Sequence, residues 1–126
     1  MLNATEIFTP QWTAEAFPPE RAIEFFEALY GDPEDAAYNI EFAFVQADGL
    51  KLQFTFNLHQ RAEQCLACNL TYGLPGVFLR HPIINARGLA EKIAAVAGKK
   101  LIKWQFGQTM EFSQALHAIP FEVWLE

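Results

Sequence analysis

The chain has 126 residues, 52% of them hydrophobic and 14% aromatic, enough for one domain with a buried core and too apolar for disorder. Its net charge of −6 argues against a general nucleic-acid binder, which needs a basic face for phosphate contacts. No apolar run approaches the roughly 18 residues of a membrane span, and MLNATEIFTP has neither the basic start nor the apolar stretch of a secretory signal. A cytoplasmic location is the resulting expectation. Residues 1–63 carry eleven acidic and three basic side chains, whereas residues 64–126 carry four acidic and six basic. That imbalance suits a solvated acidic surface, or a basic protein partner.

Residues 1–17 read as an irregular arm, with Pro10 as a breaker and Ile7, Phe8, Trp12 and Phe17 as anchors onto the chain's own core. Pro18-Pro19-Glu20 opens a helix that Gly31 and Asp32-Pro33 close. Within it Ala22, Ile23, Phe25, Phe26, Leu29 and Tyr30 recur at three and four residues and make an apolar stripe. Tyr38 to Leu58 then alternates with a period of two, which is the pattern of a half-buried antiparallel hairpin. A three-residue turn, Ala47-Asp48-Gly49, pairs Gln46 with Leu50 and Phe42 with Phe54, and brings both aromatic rows to one face. That face is too apolar for water, so helices must cover it.

A third strand is expected near Cys65 to Tyr72, followed by a Gly73-Leu-Pro-Gly76 turn and a short strand or packed loop over Val77 to Leu79. Asn85 caps a second helix that runs to Ala97, with Leu89, Ile93 and Val96 inward and Gly98 as its stop. Leu101 to Phe106 reads as a strand with Ile102, Trp104 and Phe106 on one face, residues 109–119 as a short helix, and Phe121 to Leu125 as a last strand. The result is one α+β domain over 1–126, an antiparallel sheet of four to five strands with two main helices on one face. Its order is α-β-β-β-α-β-(short α)-β.

No catalytic constellation emerges, so no enzyme activity is expected. Cys65-Leu-Ala-Cys68 lies in an alternating stretch that sends its sulfurs to opposite faces, and no second cysteine pair completes a zinc site. Ser113 and His117 stand four apart, but no Gly-x-Ser-x-Gly elbow accompanies them, and on a helix Glu111 faces elsewhere. The three histidines form no ligand pair, so neither a metal nor a cofactor is expected. Arg80, His81 and Arg87 flank the start of the second helix, where free amides and two guanidinium groups could hold a small anion. Trp12, Trp104 and Trp124 are the candidate anchors of a protein interface.

The order of helix, three strands, helix and two strands is similar to that of the small acidic chaperones of type III secretion. The acidic composition equally resembles that of bacterial immunity proteins. Either resemblance implies a protein-binding module rather than an enzyme. The reading is therefore a non-enzymatic module that binds a protein partner or a second copy of itself as a homodimer, with no nucleic acid and no membrane. The alternative is a small-molecule or anion-binding domain with its pocket between the sheet and the second helix.

Overall fold

Five strands make one antiparallel sheet in the computed structural model, which describes residues 3–32, 38–62 and 74–126. They are β1 (Tyr38–Asp48), β2 (Lys51–Gln60), β3 (Leu101–Phe106), β4 (Met110–Glu111) and β5 (Leu116–Leu125). The spatial order is β1-β2-β5-β3, and β4 pairs with the start of β5. Helices α1 (Ala4–Ile7), α2 (Pro10–Ala16), α3 (Pro19–Tyr30), α4 (Leu74–Arg80) and α5 (Ala86–Ala97) supply the apolar cover of one sheet face. The α+β architecture read from the sequence is the one observed. The strand expected at residues 65–72, with Cys65 and Cys68, lies outside the described residues.

Alternation in β1 and β2 decides which face is buried. Tyr38, Phe42, Leu52, Phe54, Phe56 and Leu58 point inward with almost no exposure, while Lys51, Gln53, Thr55 and Asn57 line the other face. The register differs from the expected one. Asp48 faces Lys51, so Gly49 and Leu50 alone form the turn, with Gly49 at φ +62° as its first residue. That positive-then-negative φ pattern suits the right-handed twist of the flanking strands. A two-residue turn by itself would send the aromatic rows to opposite faces. A bulge at Val45 restores the phase, so that Phe44 meets Phe54 and Phe42 meets Phe56. Both rows reach one face, by a bulge in the strand rather than in the turn.

Residues 3–17 are not irregular. Pro10 is the first residue of α2, where a missing N–H costs nothing, and the Thr9 side chain accepts the Trp12 N–H at 3.1 Å. As expected of an arm lying across its own core, Phe8, Ala16 and Phe17 are buried against the sheet. Phe8 meets Phe54 edge-on at 5.2 Å, and Phe17 meets Phe56 in the same way at 5.4 Å. In α3, Ala22, Phe25 and Phe26 face the core, but Ile23 and Leu29 stay exposed, so the real stripe is narrower than its spacing suggests. Gly31 ends the helix at φ +87°.

Leu74 to Arg80 is a helix, not a turn and strand. Pro75 sits in its first turn, and Leu74 and Phe78, four apart, bury together. Asn85 caps α5 by accepting the Gly88 N–H at 3.2 Å, from an unusual left-handed backbone at φ 50°. Leu89 and Ile93 face inward as expected; Val96 does not, and Ala86, Ala90 and Ala94 take the remaining inward positions.

The short helix expected over 109–119 is absent. Its place is taken by β4, a bend over residues 112–115 and the first residues of a ten-residue β5, the strand that joins both halves of the sheet. Pro120 explains the outcome, since a proline disfavours helical backbone at the residue before it. Proline is also rare in an inner strand, because it cannot donate. Here the Pro120 carbonyl accepts the Gly107 N–H at 2.9 Å, so its ring nitrogen faces the point where β3 has ended and β4 has not begun.

The two outer strands differ. β3 carries a bulge at Ile102, and exposed Lys99, Lys100 and Lys103 surround it. Bulges and lysines of this kind discourage pairing with another chain. Between Tyr38 and Phe44, β1 has neither.

Candidate binding surface

Hydrogen bonding along the sheet fixes which backbone groups of β1 point away from β2. The Leu125 N–H donates to the Leu50 carbonyl at 2.9 Å, so even-numbered residues of β2 bond toward β5 and odd-numbered ones toward β1. In β1 the residues paired with Asn57 and Thr55, namely Glu41 and Ala43, therefore bond inward. Ile40, Phe42 and Phe44 turn their N–H and C=O groups away from the sheet. No other described residue supplies a hydrogen bond to them.

A groove of about 360 Å³ runs along this edge. Its floor and one wall are the five consecutive residues Ile40 to Phe44; the opposite wall is Phe8, Pro10, Thr13, Ala14, Phe17 and Pro19. Two features of the sequence build that wall. The Thr9 cap and Pro10 start α2 close to β1, and Phe8 and Phe17, on either side of the helix, bury into the sheet and hold it there. Thr13 turns its hydroxyl back onto the Thr9 and Pro10 carbonyls, so α2 offers the groove a methyl surface. The walls are thus apolar apart from the backbone and Glu41.

Glu41 lies on the outer face, its side chain 59% exposed. Its Oε1 takes bonds from His59 Nε2 at 3.0 Å and from Asn57 Nδ2 at 3.1 Å. These bonds, His59 first, hold its carboxyl below the ordinary carboxylate range. No described residue bonds Oε2.

The anion-site candidates do not gather into a described concavity. Arg80 is exposed at the end of α4. His81 packs edge-on against Phe25 at 4.9 Å, and its Nδ1 accepts the Ile83 N–H at 3.2 Å. Arg87 is exposed and pairs with Glu91 at 3.3 Å. A second concavity, between α2 and α5, is lined by Trp12, Ala16, Lys92 and Val96, and a third, on the outer sheet face, by Val45, Thr55, Met110 and Pro120. None of the three grooves includes Arg80, His81 or Arg87.

The tryptophans have separate surroundings. Trp12 meets Phe8 edge-on at 5.0 Å and lines the concavity between α2 and α5. Trp104 faces the core, 6.0 Å from Phe121. Trp124 lies on the outer face between Lys51 and Lys103, whose ammonium groups stand 5.3 and 4.4 Å from its ring. Lys51 also pairs with Glu122 at 2.8 Å and holds that carboxyl low.

Ser113 and His117 do not form a pair. The Ser113 hydroxyl accepts the Ala115 N–H within the turn, and the buried His117 instead lies 4.0 Å from Glu111, its partner across β4 and β5. Among the described residues no group of three or more His, Cys, Asp or Glu side chains could hold a metal ion, and no helix is long and apolar enough to cross a membrane.

The sequence reading missed Ile40, Phe42, Phe44 and Ala14 as residues lining a groove. The available signal was the unguarded first strand, free of lysine and proline over seven residues, beside an arm rich in aromatics. Comparison with protein-family models, with curated proteins and with solved structures gives no match to this chain.

Proposed function

We propose that the chain is a non-enzymatic protein-binding module that holds a strand of its partner along the free edge of β1. One observation carries this reading: five consecutive residues of an unguarded edge strand line a groove with an apolar opposite wall. An extended segment would satisfy the outward N–H and C=O groups of Ile40, Phe42 and Phe44, and place alternate side chains against Phe8 and Phe17. This is strand addition, in which main-chain bonds supply affinity and side-chain pockets supply selectivity. Trp12 would act indirectly, by packing against Phe8 of that wall.

Native mass spectrometry of the chain purified from cells tests the proposal, with Ala14→Gln as the probing variant. Ala14 is exposed on α2 and lines the groove, so a longer polar side chain obstructs the site without replacing a buried core residue. The expected result is a bound polypeptide that the wild type retains and Ala14→Gln loses. A polypeptide retained equally by both would overturn the site. A bound mass of only a few hundred daltons would instead support a small-molecule function.

A further inference from the structure

The chemistry of the groove also restricts what can occupy it, and the following inference rests on the strand-addition reading. We infer that the occupant is a single extended segment of another protein, with apolar side chains at alternate positions toward α2 and a basic side chain between them on the outer face.

The length follows from the lining. Five residues of β1 at about 3.4 Å each give a contact of roughly 17 Å, the span of one ordinary strand. Alternation follows from the pairing. Residues opposite Ile40, Phe42 and Phe44 point to the helical side, where the wall is Phe8, Pro10, Ala14 and Phe17. A polar side chain there would lose water and find no partner but the backbone.

The charge follows from Glu41. An incoming residue opposite Phe42 has two neighbours on the outer face, and one of them lies across from Glu41 whichever way the strand runs. Both existing bonds to Glu41 come from the β2 side and use Oε1. Oε2 remains for a cation arriving from the edge, and the net charge of −6 favours the approach of a basic chain.

A second copy of this chain fits the edge poorly. Two β1 strands paired about a two-fold axis would stand about 4.8 Å apart. Each would bring its own α2 over β1 on the same side of the joint sheet, whereas packed helices need about 8–10 Å between axes. A lone strand brings no helix with it.

Three amidated nine-residue peptides test the inference against the full chain. Each has valine at positions 3, 5 and 7 and serine elsewhere, except that positions 4 and 6 are lysine, glutamine or glutamate. Affinity is read by titration and the site by amide hydrogen exchange. The expected result is that the lysine peptide binds roughly 10-fold tighter than the glutamate peptide, and that Glu41→Gln cuts the ratio below about 3-fold. The amides of Ile40, Phe42 and Phe44 should gain protection. Equal affinities with that protection would overturn the basic partner and leave strand addition standing. No protection of β1 by any peptide would overturn strand addition itself. Protection that rises with protein concentration in the absence of peptide would identify a second copy as the occupant and overturn the inference.

Discussion

Gly107 and Pro120 hold each other in place where the sheet changes partners: the Gly107 N–H donates to the Pro120 carbonyl at 2.9 Å, and a Cβ at 107 would stand 3.2 Å from the proline ring. That approach is closer than ordinary packing. Pro120 sits in an inner strand opposite Thr55, and its ring, tied to the backbone, cannot rotate aside as a free side chain would. Gly107→Ala should therefore destabilise the fold by about 1–2 kcal/mol, although alanine normally gains in the unfolded chain. A urea denaturation curve with an unchanged slope and a lower midpoint would match; a raised midpoint would show that the ring gives way.

Phe56 is fully buried and has aromatic neighbours on every side, with Phe17, Phe42, Phe78, Phe106 and Phe121 all within 6 Å of its ring centre. It ties the arm, the hairpin, α4 and the far strands into one cluster. Phe56→Ala should cost about 3–5 kcal/mol, while Phe112→Ala, at a residue 62% exposed, should stay within about 0.5 kcal/mol. Chemical denaturation of both variants separates them directly.

Tyr38 is buried, with its hydroxyl 3.4 Å from that of Tyr30, and burial first, then the Tyr30 contact, pushes its ionisation far above the ordinary tyrosine range. The neutral phenol is thus the folded form. A raised acid contributes stability that is complete below its unfolded value of about 10 and declines as pH rises beyond it. Melting temperature should fall steeply above pH ~10 in the wild type and less steeply in Tyr38→Phe, which begins about 1 kcal/mol lower at neutral pH. Parallel slopes for the two proteins would contradict this.

Asn85 does two jobs at the start of α5, since it caps Gly88 and adopts φ 50°. Asn85→Gly keeps the backbone and loses the cap; Asn85→Ala loses the cap and adds left-handed strain of about 1 kcal/mol. Thermal melts should rank the proteins wild type, then glycine, then alanine. Gly88→Ala should gain little despite better helix propensity, because its Cβ would displace the Asn85 side chain and with it the cap.

How much of this was legible in the sequence depended on how local the cause was. The ends of α3 and α5 were readable because Gly31, Asn85 and Gly98 act within a turn of their own positions. The inward row of β2 was readable because Leu52 to Leu58 alternates without interruption. The Val45 bulge was not, because either register looks reasonable until the pairing of both strands is known. Residues 109–119 misled because Phe112, Leu116 and Ile119 fall at helical spacing, although Pro120 already favoured extended chain at Ile119. The groove was the least accessible feature. It needs Ala14 and Phe42, distant in sequence, to face each other across a gap, and no local pattern reports that.

The bulge at Ile102 and the lysines around it have a consequence for what the molecule can build. A protein with two receptive sheet edges can pass strands from copy to copy without end and grow into a fibre. Among the described strands, β3 is guarded against pairing and β1 is not. If β1 takes up a partner's strand as proposed, each molecule would bind one strand and would have no second receptive edge of its own with which to link copies into a continuous sheet.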